Sequence, residues 1–178
     1  MSAVCEECGN HDIHRRVVCD VLVEECGLCG NLQGAPESVQ RVLDHRAAEE
    51  WGIPVQLWRL IESLESIPGL KVERGPSTGI GDRPLPPAVF FALSERPLVV
   101  LDRLTRTLLL ATRRTSAVWT IEASHQGRLL FVLRPRLFHP ADTLPYREFE
   151  GLIRDLDLLH EALIRDRALP WWSLAEDG

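Results

Sequence analysis

The chain has 178 residues, 45% of them apolar and 26% charged, an ordinary globular balance that excludes a disordered or collagen-like polymer. No apolar run approaches the 18 residues a membrane-spanning helix needs, so no membrane span is expected. The formal net charge of −6 is unevenly placed: −7 over residues 1–65, 0 over 66–95, +6 over 96–136 and −5 over 137–178. The start, Met1-Ser2-Ala3-Val4-Cys5-Glu6-Glu7, has neither a basic opening nor an apolar stretch, so no signal peptide is expected. All five cysteines fall within the first 29 residues, which suits a local metal site in a reducing cytoplasm better than a disulfide frame. Nineteen arginines accompany a single lysine, Lys71, a bias that phosphate contacts alone do not demand.

In chain order, residues 1–34 hold two cysteine knuckles separated by a segment rich in β-branched residues (Val17, Val18, Val21, Val23), expected as a hairpin or two short strands. Pro36 suits a first helical turn. Val39, Val42, Leu43, Ala47 and Trp51 mark one face of the helix that follows, which Gly52 and Pro54 end. A second helix puts Leu57, Trp58, Leu60, Ile61 and Leu64 inward and stops at Ile67-Pro68-Gly69. Leu70 to Arg74 alternates like a strand. Gly75 to Pro87 is too rich in glycine and proline to be anything but a loop, and Ala88 to Leu93 has the continuous apolar character of a buried strand. Pro97 to Arg114 spaces Leu98, Leu101, Leu104, Leu108 and Ala111 as a helix, although its paired aliphatics also fit strands. Ala117 to Ala123 and Arg128 to Arg134 flank Ser124-His125-Gln126-Gly127 as a hairpin. Tyr146 to Arg167 lines up Phe149, Leu152, Ile153, Leu156, Leu159 and Leu163 on one helical face.

The expected class is therefore α+β. An N-terminal ribbon (1–34) precedes a two-layer domain (35–168) of order α-α-β-β-α-β-β-α, whose four-stranded sheet is mostly antiparallel. A tail, 169–178, follows.

Cys5, Cys8, Cys26 and Cys29 stand in a C-x2-C-x17-C-x2-C pattern, a four-cysteine metal spacing. Two intervening residues let both thiolates of a pair turn toward one ion at about 2.3 Å. The flanks repeat as Cys8-Gly9-Asn10 and Cys29-Gly30-Asn31, each glycine allowing a tight bend that frees amides to face sulfur. Arg15 and Arg16 are near enough to offset the −2 charge of a divalent ion with four thiolates. These residues resemble the zinc-ribbon fold group, in which a β-hairpin brings two such knuckles together. The resemblance covers about a fifth of the chain. It implies one structural Zn2+ and a small rigid platform, and it implies no particular activity. Similar knuckles occur in iron-binding rubredoxins, but those usually carry proline where this chain has Gly27, together with an aromatic core that is missing here. A dithiol redox centre would use a single pair at a strand-to-helix turn. Cys19 is expected on a strand as a small buried residue, and His11 and His14 as exposed.

No catalytic constellation stands out. His160-Glu161 begins like a zinc-protease helix, but Ile164 occupies the place of the second histidine. The glycine-rich stretch from Gly75 to Asp82 lacks the lysine and hydroxyl of a phosphate-binding loop. Two surfaces invite a partner. Arg113, Arg114, Arg128, Arg134 and Arg136 could meet nucleic-acid phosphates, with Trp119, Phe131 or Phe138 for stacking. The adjacent Trp171 and Trp172 could anchor a protein. The function expected first is a non-enzymatic, zinc-binding accessory protein of the cytoplasm that contacts another protein. A nucleic-acid-associated factor using the arginine block comes second, and a small enzyme built on the second domain third.

Overall fold

In a computed structural model of the chain, the described residues are 4–73, 85–94, 96–125, 127–137 and 145–167. The expected loop from Gly75 lies mostly outside them, as do Phe138, Trp171 and Trp172. The chain is α+β, with four helices and two antiparallel sheets among the described residues, and divides into two compact units, residues 1–51 and 52–178.

In the first unit, β1 (Ile13–Val18) and β2 (Val21–Cys26) form a hairpin joined by Cys19 and Asp20. Both turn residues have left-handed backbones, φ 52° and 62°. A two-residue turn of that hand matches the twist of the strands it joins. Cys19 is thus a half-buried turn residue and not the strand residue expected. A short β3 (Leu32–Gln33) pairs with β2, making a three-stranded sheet of order β1-β2-β3. The helix α1 (Pro36–Trp51) groups with this sheet, meeting β2 and β3. Glu25 of β2 ties the unit together, 2.9 Å from Arg46 of α1 and 3.4 Å from Arg16 of β1. The buried face of α1 is rotated from the one expected. Val42, Asp44 and Ala48 are buried and Leu43 is exposed. Asp44 tolerates burial because Gln40 Nε2 donates to it at 2.7 Å, one helical turn away.

The second unit begins with α2 (Val55–Glu65) and ends with α4 (Tyr146–Arg167). Between them lie β4 (Leu70–Glu73), β5 (Val89–Leu93), α3 (Pro97–Ala111), β6 (Val118–His125) and β7 (Leu129–Arg136). The sheet order is β4-β5-β7-β6, antiparallel throughout. Register places Val72 beside Phe91, Phe91 beside Phe131, and Trp119 beside Pro135, so these residues share one face. Phe91 and Phe131 stack with ring centroids 5.8 Å apart. The central strand β7 is apolar on both faces, with Leu130 and Val132 buried on one and Leu133 on the other. Leu57, Leu60 and Leu64 of α2 and Leu156, Leu159 and Leu163 of α4 are fully buried side chains, and α4 also meets α3.

Polar groups are buried among them too, and one of these joins two elements. Asp155 of α4, 2% exposed, accepts hydrogen bonds from the Ser116 amide (2.7 Å), the Ser116 hydroxyl (2.9 Å), the Ala117 amide (3.0 Å) and Trp119 Nε1 (3.1 Å). Helix α4 is thereby fastened to the turn that leads into β6. Gly151, one turn earlier, leaves room for that turn, since a Cβ there would stand 3.0 Å from Ser116 Oγ. Asp155→Ala removes the shared acceptor of four donors, of which Trp119 Nε1 is buried, and is expected to destabilise the protein by about 2 kcal/mol. A urea midpoint unchanged from the parent chain would show that Asp155 does not hold this joint.

Candidate metal centre

The two knuckles share one backbone frame. The Cys5 amide donates to Asn10 O at 2.8 Å, and the Cys26 amide to Asn31 O at 2.9 Å. Gly9 N donates to Cys5 O and Gly30 N to Cys26 O, each at 2.9 Å. The two glycines carry φ of 71° and 72°, the left-handed backbone that closes each bend and that a side chain would strain. The sulfurs receive matching amides as well. Cys8 and Glu7 donate to Cys5 and Asn10 to Cys8, while Cys29 and Leu28 donate to Cys26 and Asn31 to Cys29. Sequence repetition in the flanks is thus repetition of a hydrogen-bonded frame.

The hairpin sets the frame's two halves face to face, because Ile13 at the foot of β1 is paired with Cys26 at the end of β2. Cys5 Sγ lies 3.6 Å from Cys29 Sγ, and Cys8 Sγ 3.6 Å from Cys26 Sγ. All four sulfurs fall within 4.8 Å of one another. Bonds of about 2.3 Å to a tetrahedral centre put sulfurs about 3.8 Å apart, so the cluster has the right size to bind a metal ion. Cys5 and Cys26 are buried while Cys8 and Cys29 are exposed. Each knuckle therefore offers one inner and one outer sulfur. Asn31 Nδ2, 4.0 Å from Cys5 Sγ, adds a side-chain donor. Gly27 has its own reason: a Cβ there would collide with the Asp12 carboxylate and stand 3.0 Å from His14 Nε2. Asp12 and His14 are themselves 3.1 Å apart, and both are exposed, as is His11.

The electrostatics divide the four thiols. The Cys29 amide, helped by that of Leu28 and opposed by burial, brings Cys26 down from 9.0 to about 6. The Cys8 and Glu7 amides likewise lower Cys5, again against burial. The Asn31 amide works to lower Cys29, but the Cys8 sulfur, burial and the other two sulfurs outweigh it and push Cys29 up to about 12. For Cys8 the Asn10 amide and the Cys29 sulfur work to lower the thiol, but burial and the Cys26 and Cys5 sulfurs outweigh them and raise it. Among the described residues no other group of three or more histidine, cysteine or carboxylate side chains converges to hold an ion.

The other expected site residues are dispersed. Arg114 lies 3.8 Å from Glu161, Arg128 2.6 Å from Glu73, and Arg134 is paired with Glu122, whose carboxyl it holds below the usual range. Arg113 is exposed after α3, and Arg136 is exposed at the far end of β7 from Arg128, roughly 26 Å away at strand rise. Trp119 is buried, and Phe131 is half-buried with one ring face stacked on Phe91. Trp171 and Trp172 lie outside the described residues. The structure also brings together a pair that the sequence gives no sign of. Ser63 Oγ lies 2.7 Å from His160 Nδ1, which also lies 3.1 Å from Arg59 O. Ser63 is 6% exposed, so the pair ties α2 to α4 and presents no nucleophile to solvent. Only the helical phase of the two residues, 97 positions apart, could have hinted at it.

No protein-family model, curated protein or solved structure matches this chain.

Loading the cluster at pH 7 requires thiolates, and Cys8 and Cys29 are held protonated there. Binding is therefore expected to release at least two protons, and affinity to fall about 100-fold or more per unit as pH drops below 7. Calorimetry in buffers of differing ionisation heat counts the protons. Fewer than two released would contradict the thiol states described here.

Proposed function

We propose that Cys5, Cys8, Cys26 and Cys29 hold one structural Zn2+, and that the chain is a non-enzymatic accessory protein that works by contacting another protein. The observation that carries this reading is the closed set of four sulfurs. A tetrahedral ion with four protein ligands keeps no position for water or substrate, which is the mark of a structural site and not a catalytic one. Bound there, the ion supplies cross-linking alone, while this chain's amides and Asn31 offset the charge on sulfur. Thiolates of this kind persist in a reducing cytoplasm, where we place the protein.

Charge favours a protein partner over nucleic acid. The first unit holds four arginines against ten aspartates and glutamates, a net −6, which a zinc-thiolate centre of charge −2 makes more negative. Phosphate would be repelled there. In the second unit, three of the five candidate arginines face carboxylates, so a phosphate would have to displace an existing ion pair. The open face of the ribbon instead offers a cross-strand pair of exposed apolar residues, Val17 and Leu22, with Leu28 exposed on the second knuckle. Small apolar sets ringed by polar groups suit protein contacts.

Protein purified without added metal is expected to contain about one zinc per chain by elemental analysis, and chelation should unfold the first unit. Metal-free protein with an ordered ribbon would refute the structural role, and stoichiometric iron would correct the metal. The partner is tested by affinity capture with and without nuclease. A protein retained after nuclease treatment is expected, and its loss together with released nucleic acid would favour the arginine block instead.

A further inference from the structure

Helix α3 buries one face and leaves the other bare. Val100, Leu104, Thr107, Leu108 and Ala111 face inward. Outward, Leu98 is 80% exposed, Leu109 69%, Leu110 57% and Val99 41%, so four of the chain's exposed large aliphatics sit on one 15-residue helix. Their order follows a seam. Leu98, Asp102, Thr105 and Leu109 recur at spacings of four, three and four, which places them in line along the helix and is the spacing by which one helix lies against another. Asp102 and Arg106 form an ion pair at 3.0 Å in the middle of this face, with aliphatic residues at both ends.

That arrangement reads the same from either end. We propose that α3 pairs with α3 of a second copy of this chain, antiparallel about a two-fold axis at Leu104, the midpoint of the helix. Turning one helix end over end about that point sets Leu98 beside the partner's Leu109 and Val99 beside the partner's Leu110. It also sets Asp102 beside the partner's Arg106. All three pairs are centred within half a residue of Leu104, and the members of each lie on the same side of the helix. The two intrahelical ion pairs become a closed square of two carboxylates and two guanidinium groups, flanked at each end by aliphatic contacts. Thr105, small and exposed beside the axis, lets the two backbones approach. A heterologous partner would explain the exposed leucines, but not why the charges at the centre match their own two-fold image.

A pair of helices 15 residues long forms a smaller contact than the standard interface of about 1,600 Å², so association is to be followed up to about 100 µM. Sedimentation equilibrium of the full chain is expected to show a monomer–dimer equilibrium. D102R puts four guanidinium groups at the centre and R106D four carboxylates. Each is expected to weaken dimerisation by at least about 100-fold. Mixed one to one, the two variants restore opposite charges at both contacts and should recover a heterodimer of near-parental affinity. L109E should abolish association without changing the far-UV circular dichroism, since the residue is exposed. A parent chain that stays monomeric at 100 µM, single reversals that still dimerise, or a mixture that stays monomeric would each overturn the proposal.

Discussion

Fifty-one residues carrying three short strands and one helix do not enclose much. Among the described residues of the first unit, the buried apolar side chains are Cys5, Val23, Cys26, Val42 and Ala48, and two of those five are cysteines of the cluster. A core of that size falls far short of offsetting the conformational entropy of ordering the segment. The convergence of four sulfurs is the constraint on which the rest of the unit depends. The hairpin turn fixes which residue faces Cys26, the left-handed glycines aim the amides, and Glu25 secures α1 against the sheet through Arg46. Remove the convergence and these features have nothing to organise around.

The second unit solves the same problem by different means. It has a conventional apolar core, from Leu57 and Phe91 to Leu156, and spends its one deeply buried, four-fold bonded carboxylate on register rather than on bulk stability. A desolvated aspartate contributes little net free energy even when fully satisfied, yet every wrong docking of α4 leaves it unsatisfied at a cost of several kcal/mol. Asp155 therefore selects one arrangement of α4 over neighbouring ones in which the leucines would pack nearly as well.

What the sequence discloses tracks the range over which each signal acts. The cluster was legible because metal spacing and knuckle flanks are local, within a few residues of Cys5 and Cys26. The order of helices and strands was legible from periodicity, and α3, whose paired aliphatics also suited strands, is a helix that buries Leu104, Leu108 and Ala111 of the expected face but leaves Leu98 exposed and buries Val100 and Thr107 instead. The turn at Cys19 was not legible. Left-handed two-residue turns usually announce themselves with asparagine or aspartate followed by glycine, and Cys19-Asp20 has neither in the telling order. The face of α1 was displaced because Asp44 is buried while accepting a hydrogen bond from Gln40, a pairing that hydropathy alone does not see. Asp155 was invisible for a plainer reason: its donors lie 36 to 39 positions away, and nothing local distinguishes it from the exposed acids of the same helix.

The likeness of the two knuckles bears on how the first unit comes to be folded. Each knuckle carries its own bend, its own carbonyl contacts and its own amide-to-sulfur set, so each is a complete bidentate chelator before the other arrives. An ion taken up by either pair meets the second pair intramolecularly, across the 17 residues between Cys8 and Cys26. Loop-closure entropy grows only with the logarithm of that length, and a hairpin with a two-residue turn shortens the search further. On the proposed metal reading, assembly of the unit would have two entry points and one shared last step, the zipping of β1 onto β2 around the ion.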